Sequence, residues 1–187
     1  MKIEELEEDL AECFRIAERD KSIGKKHKGL MMVKLNFEEA RGYIQKAKDS
    51  LELCEFYKEK RYDYKIPEEW FYSLYYCALA ILSKFGIETR SQRYTALFLR
   101  YAIMKGLIDY DIEFIERITV YTEKEKESDV DKREEARYGP FIKIDKVFEI
   151  YEKMSNLCKN AISQAEEIIF SDKEFKVPKE LLENYNS

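Results

Sequence analysis

The chain has 187 residues, a formal net charge of −5 and a single histidine. Aromatic residues make up 14% of it and charged residues 38%, against only 6 glycines and 3 prolines. That much aromatic and aliphatic surface can offset chain entropy and excludes disorder, the scarcity of turn formers excludes an all-β fold, and one histidine excludes a multi-histidine zinc centre or a two-histidine catalytic site.

Ile3, Leu6, Leu10, Cys13, Phe14 and Ala17 recur at three- and four-residue steps, which predicts an amphipathic first helix ending near Gly24. A basic stretch, Lys25-Lys26-His27-Lys28-Gly29, follows and reads as a solvated loop. Asn36 and Glu39 have capping-box spacing, and Phe37, Ala40, Tyr43, Ile44, Ala47, Leu51, Cys54 and Tyr57 trace a long second helix. The connection Lys60–Lys65 leads to Pro67, which suits the first turn of a third helix running to Phe85. Trp70, Phe71, Leu74, Cys77, Ala78, Ile81 and Leu82 spread over more than one of its faces, so this helix belongs at the centre of a bundle.

Gly86 stops the third helix, Ser91 opens a fourth that ends at Gly106, and Asp109 or Asp111 caps a fifth containing Ile112, Ile115, Ile118 and Tyr121. The run Glu123–Tyr138 is nearly all charged, and Gly139-Pro140 breaks it. Asp145 caps a last long helix with Phe148, Tyr151, Met154, Leu157, Cys158, Ala161, Ile162, Ala165, Ile168 and Ile169 on its apolar face. A tail from Ser171 carries Phe175, Val177, Leu181 and Leu182, expected to dock only weakly. The expected fold is an all-α, up-and-down bundle of four to five core helices. Residues 1–35 form an N-terminal helical extension with a basic loop, 36–170 the bundle and 171–187 the tail. The four dispersed cysteines read as reduced core thiols. With no apolar run near 18 residues and an acidic N-terminus unlike a signal peptide, the expected location is the cytoplasm.

From the second helix onward the motifs are less generic. They comprise Gln45–Leu51, Arg61-Tyr62-Asp63, the small-and-aromatic run Phe71–Leu82, Gly86-Ile87-Glu88-Thr89-Arg90-Ser91, Ala96-Leu97-Phe98, Lys105–Asp109 and Arg133-Glu134-Glu135-Ala136-Arg137-Tyr138-Gly139. In order and spacing they resemble the HEPN family (higher eukaryotes and prokaryotes nucleotide-binding domain), over roughly residues 38–169. The resemblance implies a prokaryotic helical domain that forms a two-fold homodimer. It also implies a small nucleotidyltransferase partner in a toxin–antitoxin or defence-type pair.

Two departures bear on activity. Gln92 stands where the family turn carries histidine, and Arg137 where it carries aspartate before the tyrosine. Ribonuclease members pair an arginine with a histidine that follows it after four to six intervening residues. After Arg133 the corresponding positions hold Tyr138, Gly139 and Pro140, and after Arg137 they hold Ile142, Lys143 and Ile144. Cleavage by 2′-hydroxyl attack needs a proton carrier near neutral pKa, which tyrosine and arginine do not supply. The expectation is a nucleotide- or RNA-binding or regulatory module with no catalytic residue, cofactor or metal. The alternatives are a ribonuclease with a degenerate motif and a purely structural interaction domain.

Candidate ligand contacts fall in two places. Arg133 and Arg137 share a helix face with Tyr138 next to them, either gripping phosphate or pairing with neighbouring acids. The run Glu123–Arg137 around them holds seven acids against five bases, the mark of a solvated helix. Arg90, Arg93 and Arg100, with Lys84 and Lys105, surround the fourth helix, where Tyr94 and Tyr101 interleave; they suit RNA or, for the tyrosines, core packing. By the resemblance, Tyr138 is also the one candidate for modification by a nucleotidyltransferase partner.

Overall fold

The computed structural model describes residues 2–119 and 144–182, with side chains from residue 147 onward in the second stretch. The charged run Glu123–Tyr138, the Gly139-Pro140 break and the Asp145 cap lie outside the described residues or side chains.

Six helices account for most of the described residues: α1 (Ile3–Ser22), α2 (Phe37–Glu59), α3 (Ile66–Lys84), α4 (Gln92–Met104), α5 (Ile112–Ile118) and α6 (Ile144–Phe170). The protein is an all-α bundle, and among the described residues no helix is long and apolar enough to cross a membrane. Local chemistry sets several ends. Asn36 accepts from the Glu39 N–H at 3.2 Å, Ser91 from Tyr94 at 3.4 Å and Asp111 from Glu113 at 2.8 Å, each supplying an acceptor for a first-turn donor. Gly86 (φ 69°) and Gly106 (φ 64°) adopt the left-handed conformation that closes α3 and α4.

α3 lies at the centre, flanked by α2, α4, α5 and α6. It buries Trp70, Phe71, Leu74, Cys77, Ala78, Ile81 and Leu82 around most of its circumference, as its pattern requires. α2 runs antiparallel to α6: Lys48 pairs with Glu166 at 2.7 Å at one end and Lys58 with Glu152 at 3.7 Å towards the other. α1 lies across α4 and adds Leu6, Leu10 and Phe14, all fully buried, to the same core.

Several particulars differ from the sequence expectation. Leu30–Met32 (β1) and Ile87–Thr89 (β2) form an antiparallel ribbon in the register Leu30↔Thr89, Met31↔Glu88, Met32↔Ile87. Three-residue strands are too short to show a period, so the sequence reads as loop there. His27 is not a solvated loop residue. It is 5% exposed, its Nδ1 meets the Gly29 carbonyl at 3.2 Å and its Nε2 meets Glu88 Oε1 at 3.3 Å. The ring therefore ties the entry of β1 to β2. Gly29 allows this close packing, because a Cβ there would run into the Cys13 carbonyl oxygen of α1.

The tail is also held more firmly than expected: Phe175, Val177 and Leu181 are buried in the common core. Conversely, Phe148, which shares the helical spacing of the α6 core face, is 42% exposed. It stands three residues before the well-buried Tyr151.

Candidate functional site

The structure does not gather the five cations assigned to the fourth-helix surface into one patch. Lys84 is inside the protein, at 5% exposure. Its Nζ donates to the Ile169 carbonyl at 3.0 Å and the Ser171 carbonyl at 2.9 Å, and it lies 4.5 Å from the Phe37 ring centroid. Helix ends leave their last carbonyls without partners, and this ammonium satisfies two groups at the end of α6. Burial pushes its pKa below the ordinary value, with Asp172 opposing the shift. Lys84 is thus an internal clasp on α6, not a surface cation.

Lys105 is engaged as well, 2.6 Å from Glu7 of α1 and 3.9 Å from Glu180 of the tail. Hydrogen bonding to Glu7 is the leading cause of its raised pKa. Arg90 reaches Glu88 at 3.4 Å. Arg93 is exposed and stands 5.9 Å from the Tyr94 ring centroid, where Asp9 and Glu12 of α1 act electrostatically on the same tyrosine. Arg100 is half-buried and has no ion pair among the described residues. Arg93, Leu97, Arg100 and Met104 line the outer face of α4 at helical spacing. A polyanion approaching that face meets two arginines bordered by α1's acids. Arg133, Arg137 and Tyr138 lie outside the described residues, so the structure does not place them against this face.

The tyrosines divide by depth. Tyr101 is fully buried, with its hydroxyl donating to Glu180 Oε1 at 3.4 Å, so it belongs to packing. Tyr94 and Tyr75 are half-buried; burial raises the Tyr75 pKa, with a hydrogen bond to Thr95 opposing. Tyr43, Tyr76 and Tyr72 form a half-exposed ladder along α2 and α3, with centroids 6.2 and 5.8 Å apart and planes 20° and 23° apart. Lys46 Nζ lies 5.6 Å from both the Tyr43 and Tyr76 rings. Glu39 accepts from the Tyr43 hydroxyl at 3.5 Å, and Glu69 acts on Tyr76, so carboxylates border this ladder.

Acid–base and nucleophilic chemistry find little support in the described residues. All four cysteines are free and buried. Burial pushes the Cys13 thiol up to about 12 and raises those of Cys54 and Cys77 further, which disfavours the reactive thiolate. No three His, Cys, Asp or Glu side chains among the described residues converge as a metal site. A shallow cleft of about 400 Å³ between α2 and α6 is lined by Lys48, Leu51, Glu52, Glu55, Lys159, Ile162, Ser163 and Glu166. Its mixed charges include the Lys48–Glu166 bridge already described. Gln92, standing where the resemblance leads one to expect histidine, donates from Nε2 to the Ile118 carbonyl at 3.0 Å and joins the start of α4 to the end of α5.

Comparison with protein-family models, with curated proteins and with solved structures returned no match.

Proposed function

We propose that this protein is a HEPN-like recognition module that binds a nucleotide or RNA without cutting it and works with a small nucleotidyltransferase in a toxin–antitoxin or defence-type pair. The observation that carries the reading is the enclosure of His27, the one histidine in the chain. Both of its ring nitrogens face partners within the fold, Gly29 and Glu88. The only imidazole available is therefore occupied in joining the ribbon instead of standing where substrate could reach it. Gln92 fills the position of the family histidine with an amide that carries no proton at neutral pH.

Incubation of the purified protein with single-stranded RNA in the presence of a chelator tests this. Binding without cleavage is expected. Cleavage that disappears in Arg133→Ala would replace the reading with that of a ribonuclease. Co-expression with the nucleotidyltransferase and intact-mass measurement tests the partnership: the expected nucleotidyl adduct is lost in Tyr138→Phe, and an adduct that persists in that variant removes Tyr138 from the scheme.

A further inference from the structure

Exposed aromatic surface concentrates where α2 gives way to α3, away from the α4 cations and from the tyrosine ladder. Phe56, Tyr62 and Tyr64 are 47%, 50% and 47% exposed, within nine residues of one another. Scattered exposed rings are ordinary on a protein surface, but three on one short stretch leave an unusual amount of aromatic area in water. The antiparallel register of α2 and α6, fixed by Lys48–Glu166 and Lys58–Glu152, carries exposed Phe148 to the level of the same turn.

The turn itself carries mostly cations on its outer side. The turn from Lys60 to Lys65 contains Lys60, Arg61 and Lys65, and its one acid, Asp63, faces inward at 3% exposure. The solvent side of the turn is therefore cationic. Lys65 lies 3.9 Å from Glu68 and 5.6 Å from the Tyr64 ring centroid. Lys60 lies 5.9 Å from the Phe56 ring centroid, and among the described residues neither Lys60 nor Arg61 has a carboxylate partner. Exposed Glu55 and Glu59 border the corner on its α2 side, and the cations a phosphate would meet in the turn itself are Lys60 and Arg61.

The backbone adds an independent observation. Arg61 has φ 58°, the one non-glycine residue with positive φ among those described. The bonds that close α2 there, Arg61 N–H to Lys58 carbonyl at 3.2 Å and Tyr62 N–H to Tyr57 carbonyl at 2.8 Å, are made by main chain alone. Glycine is the usual residue at such a helix stop, because a Cβ is strained in the left-handed region. An exposed guanidinium thus occupies a position whose local geometry favours glycine, which directs attention to the side chain.

We propose that the Phe56–Lys65 corner binds single-stranded nucleic acid, with bases stacking on Phe56, Tyr62 and Tyr64 and phosphates held by Lys60 and Arg61. Aromatic faces alternating with unpaired cations are what strand binding without base-specific readout requires. The proposal rests on the recognition reading above and gives it a surface distinct from Arg90, Arg93 and Arg100.

Fluorescence anisotropy with short labelled single strands of RNA and of DNA, at low and rising salt, tests it. The full-length protein is expected to bind RNA, with the DNA arm showing whether the ribose is read. Tyr62→Ala and Tyr64→Ala should each weaken binding about tenfold, the usual scale of one base stack. Lys60→Gln and Arg61→Gln should each reduce the slope of log affinity on log salt by about 0.7. Arg61→Gly should bind more weakly while melting at the wild-type temperature, because relief of strain roughly cancels glycine's extra chain entropy; an arginine kept only for folding would not separate the two. Wild-type affinity in all corner variants, together with loss in Arg90→Gln, Arg93→Gln and Arg100→Gln, would refute this site and leave the recognition reading standing. Failure of the wild-type protein to bind either strand at low salt would remove this site together with the RNA half of the recognition reading, leaving only nucleotide binding.

Discussion

Replacing Lys84 with methionine keeps the length of the side chain and removes its charge. In the wild-type protein the ammonium donates to two carbonyls at 3.0 and 2.9 Å, from Ile169 and Ser171. Hydrogen bonds from a charged donor contribute a net of roughly 1.5–3 kcal/mol each. Two such bonds suggest about 3–6 kcal/mol, and the unmet carbonyls at the end of α6 act in the same direction. Against this stands the cost of keeping an ammonium out of water, visible in its lowered pKa, which methionine avoids while packing against Phe37 and Phe175. The expected loss is about 3 kcal/mol, or roughly 6–12 °C in melting temperature for a domain of this size. The effect should also be local: Ser171 begins the segment that buries Phe175, Val177 and Leu181. Hydrogen exchange should therefore show lost protection in residues 171–182 before the centre of α3. Melting within about 2 °C of wild type, or a loss of stability with tail protection unchanged, would refute the clasp.

Gly29→Ala should cost about 3 kcal/mol by overpacking, because its Cβ is driven into the Cys13 carbonyl and lies 3.1 Å from the Ala17 Cβ; an unchanged urea midpoint would contradict the packing of β1 on α1. Ser91→Ala should cost about 1 kcal/mol through loss of the α4 cap, measured by the same denaturation. Stability should fall as pH rises from about 9 towards 12. Unfolded thiols ionise from their ordinary value of 9.0, whereas burial holds the folded Cys13 proton to about 12 and those of Cys54 and Cys77 higher. The folded state then binds more protons, at about 1.4 kcal/mol per pH unit for each such thiol. The buried tyrosines Tyr101, Tyr110 and Tyr151 act in the same direction above pH 10. Lys84 acts oppositely, since its lowered pKa makes the unfolded state the better proton binder. A melting temperature flat to pH 11 would overturn the assignment.

Much of the fold follows from local features of the chain. The steps of three and four residues in α2, α3 and α6 specify helices because that spacing alone puts apolar side chains on one face. Asn36, Ser91 and Asp111 mark starts, and Gly86 and Gly106 mark stops, because their side chains, or the lack of one, act within a single turn. The central place of α3 was legible for the same reason: a helix apolar on several sides must be covered on several sides.

What the chain could not show locally depends on partners distant in sequence. His27 and Glu88 are 61 residues apart, and Lys84 and Ile169 are 85 apart, so a basic loop and a basic helix end look solvated until the fold brings acceptors to them. The two three-residue strands have no periodicity of their own and exist because each supplies the other's hydrogen bonds. The same holds for the candidate sites. The number and order of cations and aromatics are properties of the sequence, as are the single histidine and the charge of −5. Which cations remain free is decided by tertiary structure: it buries Lys84, binds Lys105 to Glu7, turns Asp63 inward and leaves Lys60 and Arg61 facing solvent beside three aromatic rings. A charge acquires its function from the distance and burial of its counter-charge, and that distance is set only when the helices pack.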